Sequence, residues 1–263
     1  MRNQNLQAMS NLPKSFSVLG LPVHVIANYP NWLQERIEQS QGAHVVTLNA
    51  EMTMQAERNE ALSKIIQNAE LVIPDGAGVV LYLQLLKKQN VNRVPGIELA
   101  EALLQNLAQS SSKLNPPKVF FYGGSPGVAQ KAADYWQSQS PGLTIAGTHS
   151  GYHSELEEEL LKQTLVQIQP QLILVGLGVP RQEMWIAQNR HLCPQAIWIG
   201  VGGSLDIWSG VKTRAPHWLG NNNLEWLYRL YKEPWRWKRM LSLPEFALKS
   251  IVYCITDRRA VSQ

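Results

Sequence analysis

Four aspartates occur in the 263-residue chain, at 75, 134, 206 and 257, and two of them sit where acid–base chemistry is easily done. Asp75 lies in PDGAG (74–78) and Asp206 in GVGGSLD (200–206), each flanked by glycine and each just after a short apolar run. A carboxylate placed there can act as a general base or bind a sugar hydroxyl. It can equally cap a helix or close an Asx turn. Glycines recur in GGSPG (123–127) and in GVGGS (200–204). Such turns let backbone N–H groups approach a phosphate, and a following helix adds its positive end. Gly123, Gly124, Gly202 and Gly203 are therefore candidate contacts for a phosphorylated ligand, against the plainer role of tight strand-to-helix connections. The chain contains no D-x-D pair. Enzymes that clamp a nucleotide-sugar diphosphate through a divalent metal commonly present one, so this chain, if it handles such a donor, must neutralise leaving-group charge differently, with the tail arginines as the available substitute.

These residues need a scaffold, and apolar runs supply it. HVVTLN (44–49), ELVIPD (70–75), KVFFYG (118–123), LTIAG (143–147), QLILVGLG (171–178) and AIWIGVGG (196–203) read as buried strands. Helical periods follow over 60–69, 96–109, 127–139 and 154–168. Alternation of this kind predicts an α/β fold, a mostly parallel Rossmann-like sheet with helices on both faces. In open sheets of that type ligands bind at the carboxyl ends of the strands, where TLN (47–49), PDGAG, GGSPG and GVGGSLD all fall. SSSKLNPP (110–117) reads as a surface connection.

Charge separates the chain into an α/β core over 1–210 and an appendage over 211–263. From Lys212 onward there are ten Lys and Arg against four acids, so the tail carries +6 while the whole chain carries only +4. Five of the nine tryptophans fall between Trp208 and Trp237. Cations interleaved with indoles suit nucleic acid, an anionic lipid surface or a polyphosphate ligand. Pro234 predicts a stop or kink in the tail helix, and the asparagines at 221–223 read as its cap; with a mild kink, Arg229, Lys232, Arg236 and Arg239 would share a face. No apolar run approaches the roughly 18 residues of a membrane span, and the first residues lack the apolar stretch of a signal peptide, which predicts a cytosolic chain. Cys193 and Cys254 lack metal-ligand spacing and read as buried thiols.

Other residues have plainer readings. Glu183 in PRQE (180–183) fits a first-turn acid favoured by the helix dipole. His149 and His153 have no third ligand nearby in sequence and read as loop residues. ELEEEL (155–160) reads as a solvated helix face. A dinucleotide-dependent oxidoreductase would want G-x-G-x-x-G after a first strand, and neither glycine turn has that spacing. A nucleic-acid-binding module would use the tail and leave the glycine-rich strand ends without work.

Seven segments together resemble one family: TLNAEM (47–52), VIPDGAGVV (72–80), RVPGIELAEAL (93–103), FFYGGSPGVAQKAA (120–133), VGLGVPRQEMWIAQNR (175–190), IGVGGSLDIWSGVKTRAPHWL (199–219) and NLEWLYRLYKEPWRWKRM (223–240). They are similar, in order, to the WecG/TagA/CpsF glycosyltransferases, which add N-acetylmannosamine-type sugars to undecaprenyl-diphosphate-linked N-acetylglucosamine in teichoic acid and enterobacterial common antigen synthesis. Ala50 stands where that family often has Pro, and the chain after about Leu241 is not diagnostic. The resemblance implies an inverting, metal-independent transfer from a UDP-sugar with no cofactor, on the inner face of the plasma membrane, by a self-associating peripheral protein that does not use nucleic acid. UDP-glucose and UDP-N-acetylmannosaminuronic acid are the alternative donors. Carried across by residue, Asp75 is the base; Thr47, Arg93 and Gln182 complete the catalytic set; Asn49, Asp206, Arg229, Arg236 and Arg239 bind substrate.

Overall fold

The computed structural model describes residues 13–109, 116–216, 219 and 225–260, without the side chains of 225, 229, 236 and 254–260. The cap expected at 221–223, the first twelve residues and most of the 110–117 connection lie outside the described residues.

The chain opens with an antiparallel hairpin, β1 (Lys14–Val18) and β2 (Leu21–Val25), and a helix, α1 (Tyr29–Glu38), none of which the sequence reading picked out. Then strands and helices alternate: β3 (Ala43–Leu48), α2 (Ala50–Arg58), α3 (Glu60–Gln67), β4 (Leu71–Pro74) and α4 (Ala77–Leu81), which runs on into a wider turn at Tyr82–Leu86. After these come α5 (Gly96–Gln109), β5 (Lys118–Gly123), α6 (Val128–Gln139), β6 (Thr144–His149), α7 (Glu155–Ile168) and β7 (Leu172–Gly176). The core ends with α8 (Arg181–Asn189), β8 (Ile197–Gly200) and α9 (Ser204–Trp208).

Six strands form one parallel sheet in the order β4-β3-β8-β7-β5-β6. Helices cover both faces, which explains why the central strands read as unbroken apolar runs. Val45, Ile73, Phe121, Leu174 and Ile199 point into one layer with α1, α5 and α6. Their neighbours in sequence point the other way: Val46, Leu48 and Val72 pack with α2 and α3, while Phe120, Tyr122, Ile173 and Trp198 pack with α7 and α8. The hairpin lies beside β4 at one edge, where the Val72 N–H donates to His24 Nδ1 at 2.9 Å. That bond satisfies an edge-strand donor that would otherwise invite another chain. Burial lowers the His24 pKa, which keeps the imidazole neutral and able to accept.

The connections leaving β5 and β7 run in opposite directions, outward to β6 and inward to β8. A crevice opens at such a divergence, on the carboxyl edge.

The tail comprises α10 (Glu225–Lys232), a 3-10 turn at Pro234–Arg236, α11 (Trp237–Met240) and α12 (Ser242–Ala260). Pro234 does interrupt the helix, as its missing N–H requires. The break at Glu233, with φ −130°, ends α10, so Arg229, Lys232, Arg236 and Arg239 do not lie on one continuous helix. α12 was not read from sequence. It inserts Phe246, 3% exposed, into the layer of Val46, Leu48 and Met52, so core packing extends beyond residue 210.

Candidate functional site at the carboxyl edge of the sheet

Thr47 closes β3 on its α5 side, is buried, and has Oγ1 3.4 Å from the Gly200 carbonyl of β8. Asn49 is extended, and its side-chain oxygen accepts from the Met52 N–H at 3.0 Å, capping α2. β4 delivers Asp75 beside them: the N–H of Asp75 donates to the Leu48 carbonyl at 3.0 Å, hooking the loop onto β3. Two glycines show how tightly these segments meet. A Cβ on Gly76 would come 2.7 Å from Asn49 Cβ, and one on Gly96 would come 2.6 Å from Thr47 Cγ2.

The Asp75 side chain is half-buried, and Oδ1 accepts from the N–H of Gly96, the first residue of α5, at 3.1 Å. A carboxylate at a helix N-terminus is favoured by the free N–H groups and the macrodipole. Asp75 thus caps a helix that begins 21 residues further on, the plainer of the roles that the sequence left open. Arg93 donates from Nε to the Asp75 main-chain carbonyl at 2.7 Å, which fixes its guanidinium beside the acid. Thr47, Asn49, Asp75 and Arg93 therefore form one cluster.

The glycine turns lie across the same edge. Gly123 and Gly124 have φ of +135° and +68°, and side chains there would strike Gly176 and Val128. The Gly124 N–H donates to the Gly176 carbonyl at 3.1 Å, and the Gly202 N–H donates to Gln182 Oε1 at 3.0 Å. Both N–H groups are thus bonded within the protein. Gly203 needs neither a positive φ nor extra room, since a Cβ would have only Asp206 Oδ2 near it, at 4.0 Å.

Gln182 is fully buried behind these turns. Its Oε1 accepts from Gly178 N–H at 3.1 Å as well as from Gly202, and its Nε2 donates to Glu183 Oε1 at 2.9 Å. Glu183, expected as a simple first-turn acid, is completely buried, with Oε2 2.6 Å from His44 Nε2 on β3. Sequence reasoning missed this pairing because the partners are 139 residues apart. The available signal was a histidine inside an apolar strand.

Asp206 forms an ion pair with Lys212 at 2.9 Å, and Lys212 reaches Glu233 of the tail at 3.0 Å. Burial works against the Lys212 charge, but the two carboxylates outweigh it and raise its pKa. Arg239 Nε lies 3.2 Å from Glu51 Oε1, two residues past Asn49, so this tail arginine is held at the rim of the cluster. Arg229 and Arg236 lie on α10 and the 3-10 turn, and their side chains are outside the described residues.

His153 is a loop residue, as read, whereas His149 is the last residue of β6, paired with Tyr122 of β5. His149 Nδ1 is 2.9 Å from the Ser150 carbonyl oxygen, and His153 Nε2 is 2.8 Å from the Tyr122 hydroxyl, whose pKa burial raises. Among the described residues no three His, Cys, Asp or Glu side chains converge. Glu157 closes a capping box with Ser154, and Glu158 accepts from Trp185 Nε1, so the acidic run is structural at two positions. Cys193 is buried, and burial pushes its thiol up to about 11; the Cys254 side chain is outside the described residues. A groove of about 760 Å³ lined by Gln163, Gln167, Gln188 and His191 lies at the far ends of α7 and α8 from this edge.

An acid fixed at a helix start with a guanidinium beside it, at the carboxyl edge of an open parallel sheet, lies where α/β proteins bind their ligands. The chain belongs to the glycosyl transferase WecG/TagA/CpsF family, whose profile matches residues 16–260. It is 36% identical over 210 residues, 80% of this chain and 79% of the relative, to an N-acetylglucosaminyldiphosphoundecaprenol N-acetyl-beta-D-mannosaminyltransferase of Bacillus spizizenii. A protein of the same name from Bacillus subtilis is 35% identical over 85% of both chains. One from Staphylococcus aureus strain MW2 is 34% identical over 78% of both. The chain is a glycosyltransferase.

Proposed function

We propose that this enzyme transfers N-acetylmannosamine from UDP to the 4-hydroxyl of undecaprenyl-diphosphate-linked N-acetylglucosamine, with inversion and without a metal. The observation that carries the reading is Asp75, held at the start of α5 with Thr47, Asn49 and Arg93 around it. The relatives' names supply the transferred sugar and the lipid-linked acceptor; the UDP carrier and the 4-hydroxyl are part of the proposal. The acceptor oxygen attacks the anomeric carbon as its proton passes to the Asp75 carboxylate, and the bond from that carbon to the UDP oxygen breaks. Departing UDP carries the negative charge, which Arg93 and the tail arginines 229, 236 and 239 offset with fixed guanidinium groups. Asp206, next to the glycine turn after β8, contacts the donor.

The family and the names of the relatives do not favour a nucleic-acid or dinucleotide reading. The tail supports action at a lipid surface: Trp226, Tyr231, Trp235, Trp237 and Leu241 are exposed among lysines and arginines, which suits an anionic interface. Among the described residues no helix is long and apolar enough to cross a membrane. The docked protein works as a self-associated peripheral enzyme. Trp235→Ser should weaken sedimentation with anionic vesicles and leave the melting temperature unchanged.

Radiolabelled transfer from a panel of UDP-sugars to a synthetic prenyl-diphosphate acceptor, with and without EDTA, tests the reaction. Label should move from UDP-N-acetylmannosamine in both arms. Transfer from UDP-glucose alone, or loss of transfer in EDTA, overturns the donor or the metal-independent step respectively.

A further inference from the structure

We infer that His44 and Glu183 are positioning residues for the transfer, acting through Gln182 to set the two glycine turns that flank the donor site; the inference rests on the proposed use of a UDP donor. Gln182 joins the turn after β7 to the turn after β8, because one oxygen, Oε1, accepts from both Gly178 and Gly202. An amide turned over would aim its NH2 at these same N–H groups and repel them. What holds the amide the right way round is Glu183, whose carboxylate can only accept, and which takes the Nε2 hydrogen at 2.9 Å. What holds Glu183 is His44, at 2.6 Å on its other oxygen. All three side chains are buried.

Strand β8 leaves space for the relay. A Cβ on Gly200 would come 2.3 Å from Gln182 Nε2 and 2.5 Å from Glu183 Oε1, so glycine is required there. The relay therefore reaches from near the amino end of β3, across α8, to two turns on the carboxyl edge. His44 also lies three residues before Thr47 on the same strand, so one strand carries both the cluster and the anchor of the turns. A buried imidazole–carboxylate pair is seldom better for stability than apolar side chains of equal volume. Its distinctive contribution is directional: each hydrogen bond fixes the next.

Two pairs of variants test this, with UDP affinity read by calorimetry and kcat and KM by transfer. His44→Leu removes the donor to Glu183 and keeps the bulk, whereas His44→Gln keeps an N–H within reach. Expected results are a roughly tenfold weaker UDP affinity and a roughly tenfold lower kcat for the Leu variant. KM for the lipid acceptor should stay unchanged, and the Gln variant should recover most of the loss. Gln182→Glu sets two carboxylates against each other, while the double variant Gln182→Glu, Glu183→Gln exchanges donor and acceptor and restores every bond in the relay. The double variant should bind UDP markedly better than Gln182→Glu, a comparison that stands even if His44→Leu does not fold. Lowered melting temperatures with UDP affinity and kcat intact would overturn the positioning role, as would a folded double variant that binds no better than the single. Failure of the unaltered enzyme to bind UDP would instead overturn the donor reading, and this inference with it.

Discussion

The carboxyl edge of the sheet and the C-terminal tail carry the two halves of the proposed chemistry, and they are built in opposite ways. At and behind the edge, Thr47, Gln182, Glu183 and His44 are buried, and their polar atoms bond to β8, to the turns after β7 and β8 and to one another. In the tail, Tyr231 is 79% and Trp235 72% exposed, and its ion pairs lie at the surface: Arg239 with Glu51, Lys249 with Glu57 and Arg58 with Glu245. Exposed pairs contribute about 0–1 kcal/mol each, so α12 is held chiefly by Phe246, which meets Gly78 and the Tyr82 ring. The proposed acid–base step needs a fixed geometry, which dense packing supplies. The proposed capture of a lipid-linked substrate needs a surface, which the open aromatic and basic side chains would supply.

The sharpest contrast comes from Asp75→Asn. An asparagine oxygen still accepts the Gly96 N–H, so the fold and UDP binding should hold while turnover falls by about 10²–10⁴-fold. Near-normal turnover would remove the base. Phe246→Ala should cost about 3–5 kcal/mol in chemical denaturation, a core-sized loss from a tail residue; a change below about 1 kcal/mol would show that α12 is not part of the packed unit. Arg239→Ala, by contrast, should change stability by less than about 1 kcal/mol and still lower kcat, which separates charge on the departing phosphates from mere surface pairing. The smallest effect concerns acid. His24 has a folded pKa below its ordinary value, so the unfolded chain takes up that proton first as pH drops. Stability should therefore decline from about pH 6.5 downward, toward the folded-state value. His24→Gln does not titrate and should flatten the melting temperature between about pH 7 and 5; an equally steep curve would assign the acid sensitivity elsewhere.

Much of this protein was legible from local pattern. The strand at 118–123 and the helix at 96–109 have the predicted bounds, because apolar runs and 3.6-residue periods report burial directly. Asp75 stood out because glycine flanked it at a strand end, and Pro234 announced a broken helix. The hairpin at 14–25 escaped notice: it covers an edge rather than alternating with helices. Phe246 gave no signal either, since Leu248, Ile251 and Val252 of α12 are exposed while Phe246 and Leu243 meet the core, and no clear apolar stripe marks the buried side.

Sequence alone thus determined the parallel α/β class, the strand ends that bear the candidate residues and the cationic, Trp-rich character of the tail, all of which depend on neighbours a few positions apart. Tertiary structure decided which candidates meet. It set Asp75 on the N–H of Gly96, Gln182 behind two glycine turns and Glu183 against His44. Contacts that span 20, 21 and 139 residues of chain depend on how the strands are ordered and connected, and strand order is not written in any local period.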